Sequence, residues 1–549
     1  MMGAGSRYFF LLLLFFPVIV CSQDKNIFDF SGSSKLESRI SSSRNAIHSV
    51  PTDYLRWGAN TAIKAWGLPI RASWLISTEN ESFRQSLNQF KISVNYQEFL
   101  KSSILEKAPW LKFIRRLDIG KSFPSYSKLC LSGVALEGIN AELNPGLLYA
   151  AFAYGKIRRS IYEDGYPATP FRRKLKYYRA GVGDRLSSHI HFGYLKVWDE
   201  VVNLPDSLQW EAPSGNNVVS TDLALYFLKR KIYFKGEGAV SLFTQNTQAT
   251  MYTDEELPEI VVNQFSPNLT SSIDYAYFFE SGLNLKTTRI KAFYKIINPG
   301  FRSLGVGVLR NDVSEYGAQI SQSVYKRHIT LTAKLKRNID NLLGIKSYQS
   351  TDWHYGFGMN IRFPKMPFLM LNYSPHEQYR ETPISRKLYV VRVLNTRSSY
   401  SYINGGTSLT TSLGYTRQST LSGEDELELG RLSNILSLSE SLRLKKKWLF
   451  SLSTSWNRML IDENLRNLLS ASFNARYEVN KRINTFAGFQ RFQSLNKDSR
   501  NRLQLGGNWK LEKWGDISIT AERFSGPVKD SPGGKYSDMI LRMSWMVSF

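Results

Sequence analysis

The side chains best suited to chemistry are the histidines, and the chain has only six: His48, His189, His191, His328, His354 and His376. Two of them stand at i and i+2 in Ser188-His-Ile-His-Phe-Gly-Tyr194. In an extended strand this spacing puts both imidazoles on one face, opposite Ile190, Phe192 and Tyr194. Two imidazoles on one side of a strand can share a metal ion. No carboxylate or cysteine near them in sequence completes a ligand set, so His189 and His191 read as polar residues of an interior face. His328 and His376 have serines and acids in their neighbourhood, but no spacing isolates a nucleophile with its base. Gly305-Val-Gly307 lacks the strand-to-helix context that a phosphate loop needs. No catalytic residue, no cofactor and no resident metal is expected.

The cations are more informative. Lys and Arg number 71 against 46 Asp and Glu, a formal net charge of +25 with a pI near 9.7. They cluster at Arg172-Arg173-Lys174, Lys229-Arg230-Lys231, Lys326-Arg327 and Lys445-Lys446-Lys447. Several of these clusters fall where tight turns are expected. There a long cation can reach lipid headgroups while its stem stays in apolar surroundings. Lys231, Lys235 and Arg362 are expected to face an interior, where a positive field would concentrate anionic solutes. No helix motif accompanies the charge, so a nucleic-acid partner is not expected.

The elements that carry these residues are strands. In Trp353-His-Tyr-Gly-Phe-Gly-Met-Asn-Ile-Arg-Phe363 every odd position is large and apolar, and the even ones are His, Gly, Gly, Asn and Arg. The same alternation runs through Leu469, Ala471, Phe473, Ala475, Tyr477 and Val479, and again through Leu503, Leu505, Gly507, Trp509 and Leu511. A period of two over such lengths exceeds the roughly 5–6 residues of a soluble strand and suits the roughly 9–11 of a tilted membrane-crossing one. Short turns join strands in pairs at Asn144-Pro-Gly146, 229–231, 364–367, 445–447, 480–482 and 512–513. Longer polar connections at 245–272, 298–315 and 525–537 separate the pairs, the asymmetry of an outer-membrane barrel.

Composition agrees. Aromatics are 13% and mean hydropathy is −0.29, as expected when an apolar outside is averaged with a polar inside. The single long apolar run, Tyr8–Val20 after Arg7, reads as the core of a cleaved secretory signal peptide over residues 1–22. Acylation of Cys21 is disfavoured because Val20 precedes it. One thiol, Cys130, then remains, and the expected disulfide count is zero. Residues 23–549 are expected to form one domain: an all-β, large antiparallel transmembrane barrel of about 20–26 strands. Its last strand alternates through Leu541, Met543, Trp545, Val547 and a terminal Phe549. The pattern is weakest at 385–395, at 432–444 and before residue 110.

Two blocks resemble a known group. Phe90–Tyr96, Leu117–Gly133, Gly138–Gly146 and Tyr154-Gly-Lys156 follow one another as in poorly characterised outer-membrane barrels of Bacteroidota. Asn298-Pro-Gly-Phe-Arg-Ser-Leu-Gly305 with Asn311-Asp312 resembles the same group. The resemblance implies fold and location, a Gram-negative outer membrane, and little about activity. Barrels ending like this one imply that Leu541, Met543, Trp545, Val547 and Phe549 signal to the barrel-assembly machinery.

A barrel this wide would leak unless something fills it, because 22-stranded barrels are plugged. Strand-like sequence begins too early for an N-terminal plug. The filling is therefore expected from inward connections, with 98–109 and 245–272 as candidates, or from a partner. The leading expectation is a non-enzymatic conduit or scaffold in an envelope complex, in contact with lipid, lipopolysaccharide and periplasmic or surface lipoproteins. A diffusion porin with anion preference is the alternative, and a lipid-modifying enzyme is third.

Overall fold

The computed structural model describes residues 28–44, 53–65, 68–78, 88–94, 109–158, 171–201, 212–251, 265–424, 428–445, 447–461, 464–494, 499–512, 514–527 and 535–549. The signal segment 1–22, residues 98–108 of the expected inward helix, 252–264 of the long connection, and Lys446 lie outside them.

Twenty-six antiparallel strands form one sheet, each paired with its neighbours in sequence, and the first strand pairs with the last. Phe28–Arg44 runs against Lys535–Ser548 in continuous register from Ser33 opposite Ser548 to Arg44 opposite Ser537. The barrel is therefore closed, and its even strand number is the upper end of the expected range. The segments of weak alternation are strands too: Arg386–Asn404 and Glu428–Leu444 have 19 and 17 residues. The expected hairpins form with slightly different bounds. Gly215–Phe227 meets Ile232–Thr244, and Gln349–Ile361 meets Phe368–Glu381.

The strands are inside-out relative to a soluble sheet. Phe357, Phe473 and Leu503 are over two-fifths exposed on the outer face, whereas Ser350 and Asp352 are buried on the inner one. Water would not tolerate so continuous an apolar surface; hydrocarbon requires it, and only a closed sheet leaves no unpaired backbone there. No helix among the described residues is long and apolar enough to cross a membrane.

The basic turns have a shared backbone. Leu228, Lys229 and Arg230 take φ of 50, 55 and 66°, and Tyr325, Lys326 and Arg327 take 50, 55 and 67°. Three successive side-chain-bearing residues in the left-handed region are costly, so these four-residue turns are set by the strands they join. Their cations recover hydrogen bonds from the next turn: Arg230 Nη2 donates to Leu186 O at 2.8 Å and Arg327 Nη2 to Lys286 O at 3.1 Å.

At the seam, Gly32 N–H donates to Phe549 O at 2.8 Å, Phe549 N–H donates to Gly32 O at 3.0 Å, and the Phe549 ring stacks on Phe30 at 5.1 Å. A Cβ on Gly32 would lie 2.5 Å from Asn60 O and 2.9 Å from the Phe549 ring. Gly32→Val should therefore cost roughly 1–3 kcal/mol by overpacking, lowering the temperature at which the folded band converts to the unfolded one on detergent gels. Equal melting of variant and wild type would show that the seam is not packed this way.

Candidate functional site in the barrel lumen

A membrane barrel needs no apolar core, yet this one has one, and it lies inside the lumen. Eighteen buried residues cluster between Tyr126 and Val313, among them Leu129, Cys130, Leu131, Tyr177, Leu195, Val218, Ile297 and Phe301. Among the described residues, two connections supply the filling. Residues 123–135, between Ile114–Ser122 and Leu136–Leu143, turn inward and form a small pair of their own, Ser125–Ser127 with Leu131–Ser132. Residues 298–312 enter from the same end of the barrel, the end with the long connections.

The two loops join through backbone. Ser132 N–H donates to Gly305 O at 3.0 Å and Gly307 N–H donates to Ser132 O at 2.9 Å. The Ser303 hydroxyl donates to Cys130 O at 2.8 Å. These contacts make one body of two segments about 170 residues apart.

Two buried wall residues stand out among the polar groups that hold that body. On Ile232–Thr244, the Glu237 carboxylate accepts the Ser127 hydroxyl at 2.5 Å, Leu129 N–H at 2.7 Å and Lys128 N–H at 3.1 Å. On Gly215–Phe227, Asn216 Oδ1 accepts Leu304 N–H at 2.9 Å while its Nδ2 donates to Arg302 O at 3.1 Å. Both wall residues are almost fully buried. Such groups hold a loop strongly because each unmet partner would bear a desolvation cost. Lys128 places its ammonium 3.9 Å from the Phe278 ring centre, and burial pulls its pKa down against the upward pull of Glu280 and Glu237.

The histidine pair lies at the foot of the first loop. His189 and His191 stack at 4.4 Å. The sequence reading that no carboxylate accompanies them is corrected: Asp222, opposite His191 across the strands, accepts from His189 Nε2 at 2.9 Å. A cation already fills the group, however. Arg179 Nη2 donates to Asp222 Oδ2 at 2.7 Å and to His191 Nδ1 at 2.8 Å, and Arg179 Nη1 donates to Tyr126 O. His191 Nε2 meets Gly183 O at 3.0 Å, so both of its nitrogens are engaged. The pair acts as a brace for the loop. Beside it a cavity of about 300 Å³ is lined by Lys128, Arg179, Arg185, His189, Asp222 and Glu237 among others.

The other expected site residues are dispersed. Lys229, Arg230 and Lys231 lie in the turn at the opposite end, with Lys445 and Lys447 in a similar one. Lys235 does face the lumen, its Nζ 5.0 Å from the Tyr233 ring centre. Arg362 lies just past Ile361 at the turn, exposed, on the inward parity of its strand. Among the described residues the filling comes from 123–135 and 298–312; of the two connections expected, 98–108 and 252–264 lie outside the described residues. Beyond Val313 the inner face is polar and hydrogen-bonds to itself, as in Thr416 to Asn395 at 2.8 Å and Ser433 to Asn457 at 2.9 Å.

Sequence reasoning missed Glu237, Asn216 and Arg179. The signal present was an isolated Glu on an inward position of Tyr233-Phe-Lys-Gly-Glu-Gly, flanked by glycines.

Cys130 reports on the loop. It is fully buried, and burial pushes its thiol up to about 12, so thiolate is scarce near neutral pH and the group is inert. Glu237→Ala strands three donors, at about 1–3 kcal/mol each. Maleimide should label Cys130 in the folded variant at least about tenfold faster than in wild type, since tenfold needs only about 1.4 kcal/mol of easier opening. Equal labelling rates would mean that Glu237 is not the anchor.

No protein-family model and no curated protein matches the chain. Among solved structures it is similar to the siderophore receptor PirA from Pseudomonas aeruginosa, 8% identical, covering 94% of this chain and 80% of that one at a TM-score of 0.37. A BenF-like porin from Pseudomonas fluorescens Pf-5 is 10% identical, covering 69% and 99% at 0.29. The P pilus usher PapC translocation pore is 10% identical, covering 95% and 99% at 0.26. Scores this low add no detail to the barrel that the strand register defines. The chain is a large, closed, antiparallel β-barrel of the outer-membrane type.

Proposed function

We propose that this protein is a non-enzymatic conduit in the outer membrane of a Gram-negative cell, narrowed by its own inward loops. The observation that carries the reading is the joined loop body, 123–135 with 298–312, docked on Glu237 and Asn216. A permanent wall would be cheapest as further packed strand; here the obstruction rests on a few polar anchors and one apolar contact face. Such a body can leave as a unit when a cargo or an envelope partner, such as a periplasmic or surface lipoprotein, competes for those anchors. The Bacteroidota resemblance falls on both loops and supports the location. Export by residues 1–22 and insertion by the assembly machinery through Leu541–Phe549 complete the reading.

A solute-diffusion porin is the second reading, favoured by inward cations such as Lys235. Against it, several inward cations are neutralised by buried acids: Arg502 and Arg542 both bridge Glu522, at 3.2 and 3.3 Å, and Lys291 bridges Glu280 at 2.7 Å.

Planar bilayers separate the readings. Wild type alone should show small or infrequent conductance, and Glu237→Ala combined with Asn216→Ala should open a larger, steadier one. A wild-type channel that is steady, anion-selective and unchanged by those substitutions would establish the porin reading instead.

A further inference from the structure

The second histidine group of the lumen is built differently from the first. His354 on Gln349–Ile361 stands opposite His376 on Phe368–Glu381. Their rings stack at 4.0 Å with 14° between planes. Asp352, two residues before His354 and on the same face, is buried. One ligand atom from each of the three lies within 4.8 Å of the others.

In the first group a guanidinium sits among the ligands and both His191 nitrogens are bonded. In the second, no Arg is bonded among the ligands: His376 Nε2 is shielded from solvent and meets no hydrogen-bond partner. A buried imidazole nitrogen left so is costly, and a metal ion is the partner that two imidazoles and a carboxylate are suited to share.

The carboxylate is positioned from behind. Ser350 Oγ donates to Asp352 Oδ1 at 3.1 Å, and Gln378 Nε2 donates to Ser350 Oγ at 3.0 Å. That is an outer layer of hydrogen bonds of the kind that orients metal ligands. A neighbouring cation is directed elsewhere: Lys336, opposite His354, has its Nζ 3.4 Å from Glu315 Oε2. The next inward pair of the same strands, Gly356 and Ser374, opens a hollow of about 400 Å³ that Lys334 and Asn360 also line.

We propose that Asp352, His354 and His376 bind one divalent transition-metal ion of the zinc type on the lumen wall. Ligands about 2.0–2.1 Å from a tetrahedral zinc are about 3.3 Å apart, so small side-chain rotations close the group. Three protein ligands leave one coordination position open, beside the hollow. The site is independent of the loop body and of its role.

The test uses the full-length, folded barrel in detergent, stripped with chelator and titrated with Co²⁺ as a coloured probe, then with Zn²⁺. Wild type should bind one equivalent of Co²⁺ with visible absorption bands of low coordination number, and Zn²⁺ should displace it. His376→Gln and the near-isosteric Asp352→Asn should weaken binding by more than the roughly 10–100-fold that loss of an outer-layer partner costs. His189→Gln should bind like wild type. Folding of each variant is read from its heat-dependent gel mobility, and Asp352→Asn serves if a histidine variant does not fold. Absence of saturable Co²⁺ binding by folded wild type, or binding that survives in both His376→Gln and Asp352→Asn, would overturn the proposal. Loss in His189→Gln with retention in His376→Gln would overturn it as well, placing the metal at the other group.

Discussion

Everything in this molecule depends on one constraint: within hydrocarbon, no backbone N–H or C=O can be left unpaired. A sheet meets it only by closing, and here closure joins Phe28–Arg44 to Lys535–Ser548. With 26 strands the closed sheet encloses a wide interior. That interior creates the second problem of the structure, because a wide open lumen would pass solutes freely. Closure thus solves the lipid side and leaves the aqueous side to the connections.

The answer on the aqueous side is local. Among the described residues, the buried apolar cluster lies between Tyr126 and Val313. Along that arc the inward positions change character, from the Ser, Thr and Asn of the remaining wall to Tyr177, Leu195, Val197, Val218 and Ala239. The polar exceptions there include Asn216, Glu237, Arg179 and Ser241, and each of these binds loop backbone. An interior built this way has an apolar seat to define where the loops rest and polar anchors to define their register. Neither would be worth burying in a barrel whose lumen was simply water.

Much of the fold was legible because side-chain alternation is a property of the extended backbone itself. A window around Trp353–Phe363 or Leu503–Leu511 suffices to see it. The stretch 385–395 at the start of Arg386–Asn404 was hard to see because Leu388-Tyr-Val-Val-Arg-Val-Leu394 puts apolar residues on both faces, and its pairing with Thr407–Gly423 is what makes it a strand. The histidine groups show the other limit. His189 and His191 were visible as a pair, but Asp222 and Arg179 come from the adjoining strands on either side. His354 and His376 lie apart in sequence; extending the hairpin register from Ile361 and Leu369 is what sets them opposite each other.

By itself, then, the sequence determined the class: all-β, long-stranded, ending on a strand that runs to Phe549, with cations in its short turns. Those are consequences of local periodicity, composition and turn chemistry, which act over a few residues. Only the tertiary structure decided that 123–135 and 298–312 turn inward and join. It also decided that Glu237 meets Leu129 across 108 residues, that an arginine occupies one histidine group, and that the other is left without one. The physical reason is the same in each case. Lumen contacts are set by register summed around the closed sheet, and no stretch of chain carries that sum.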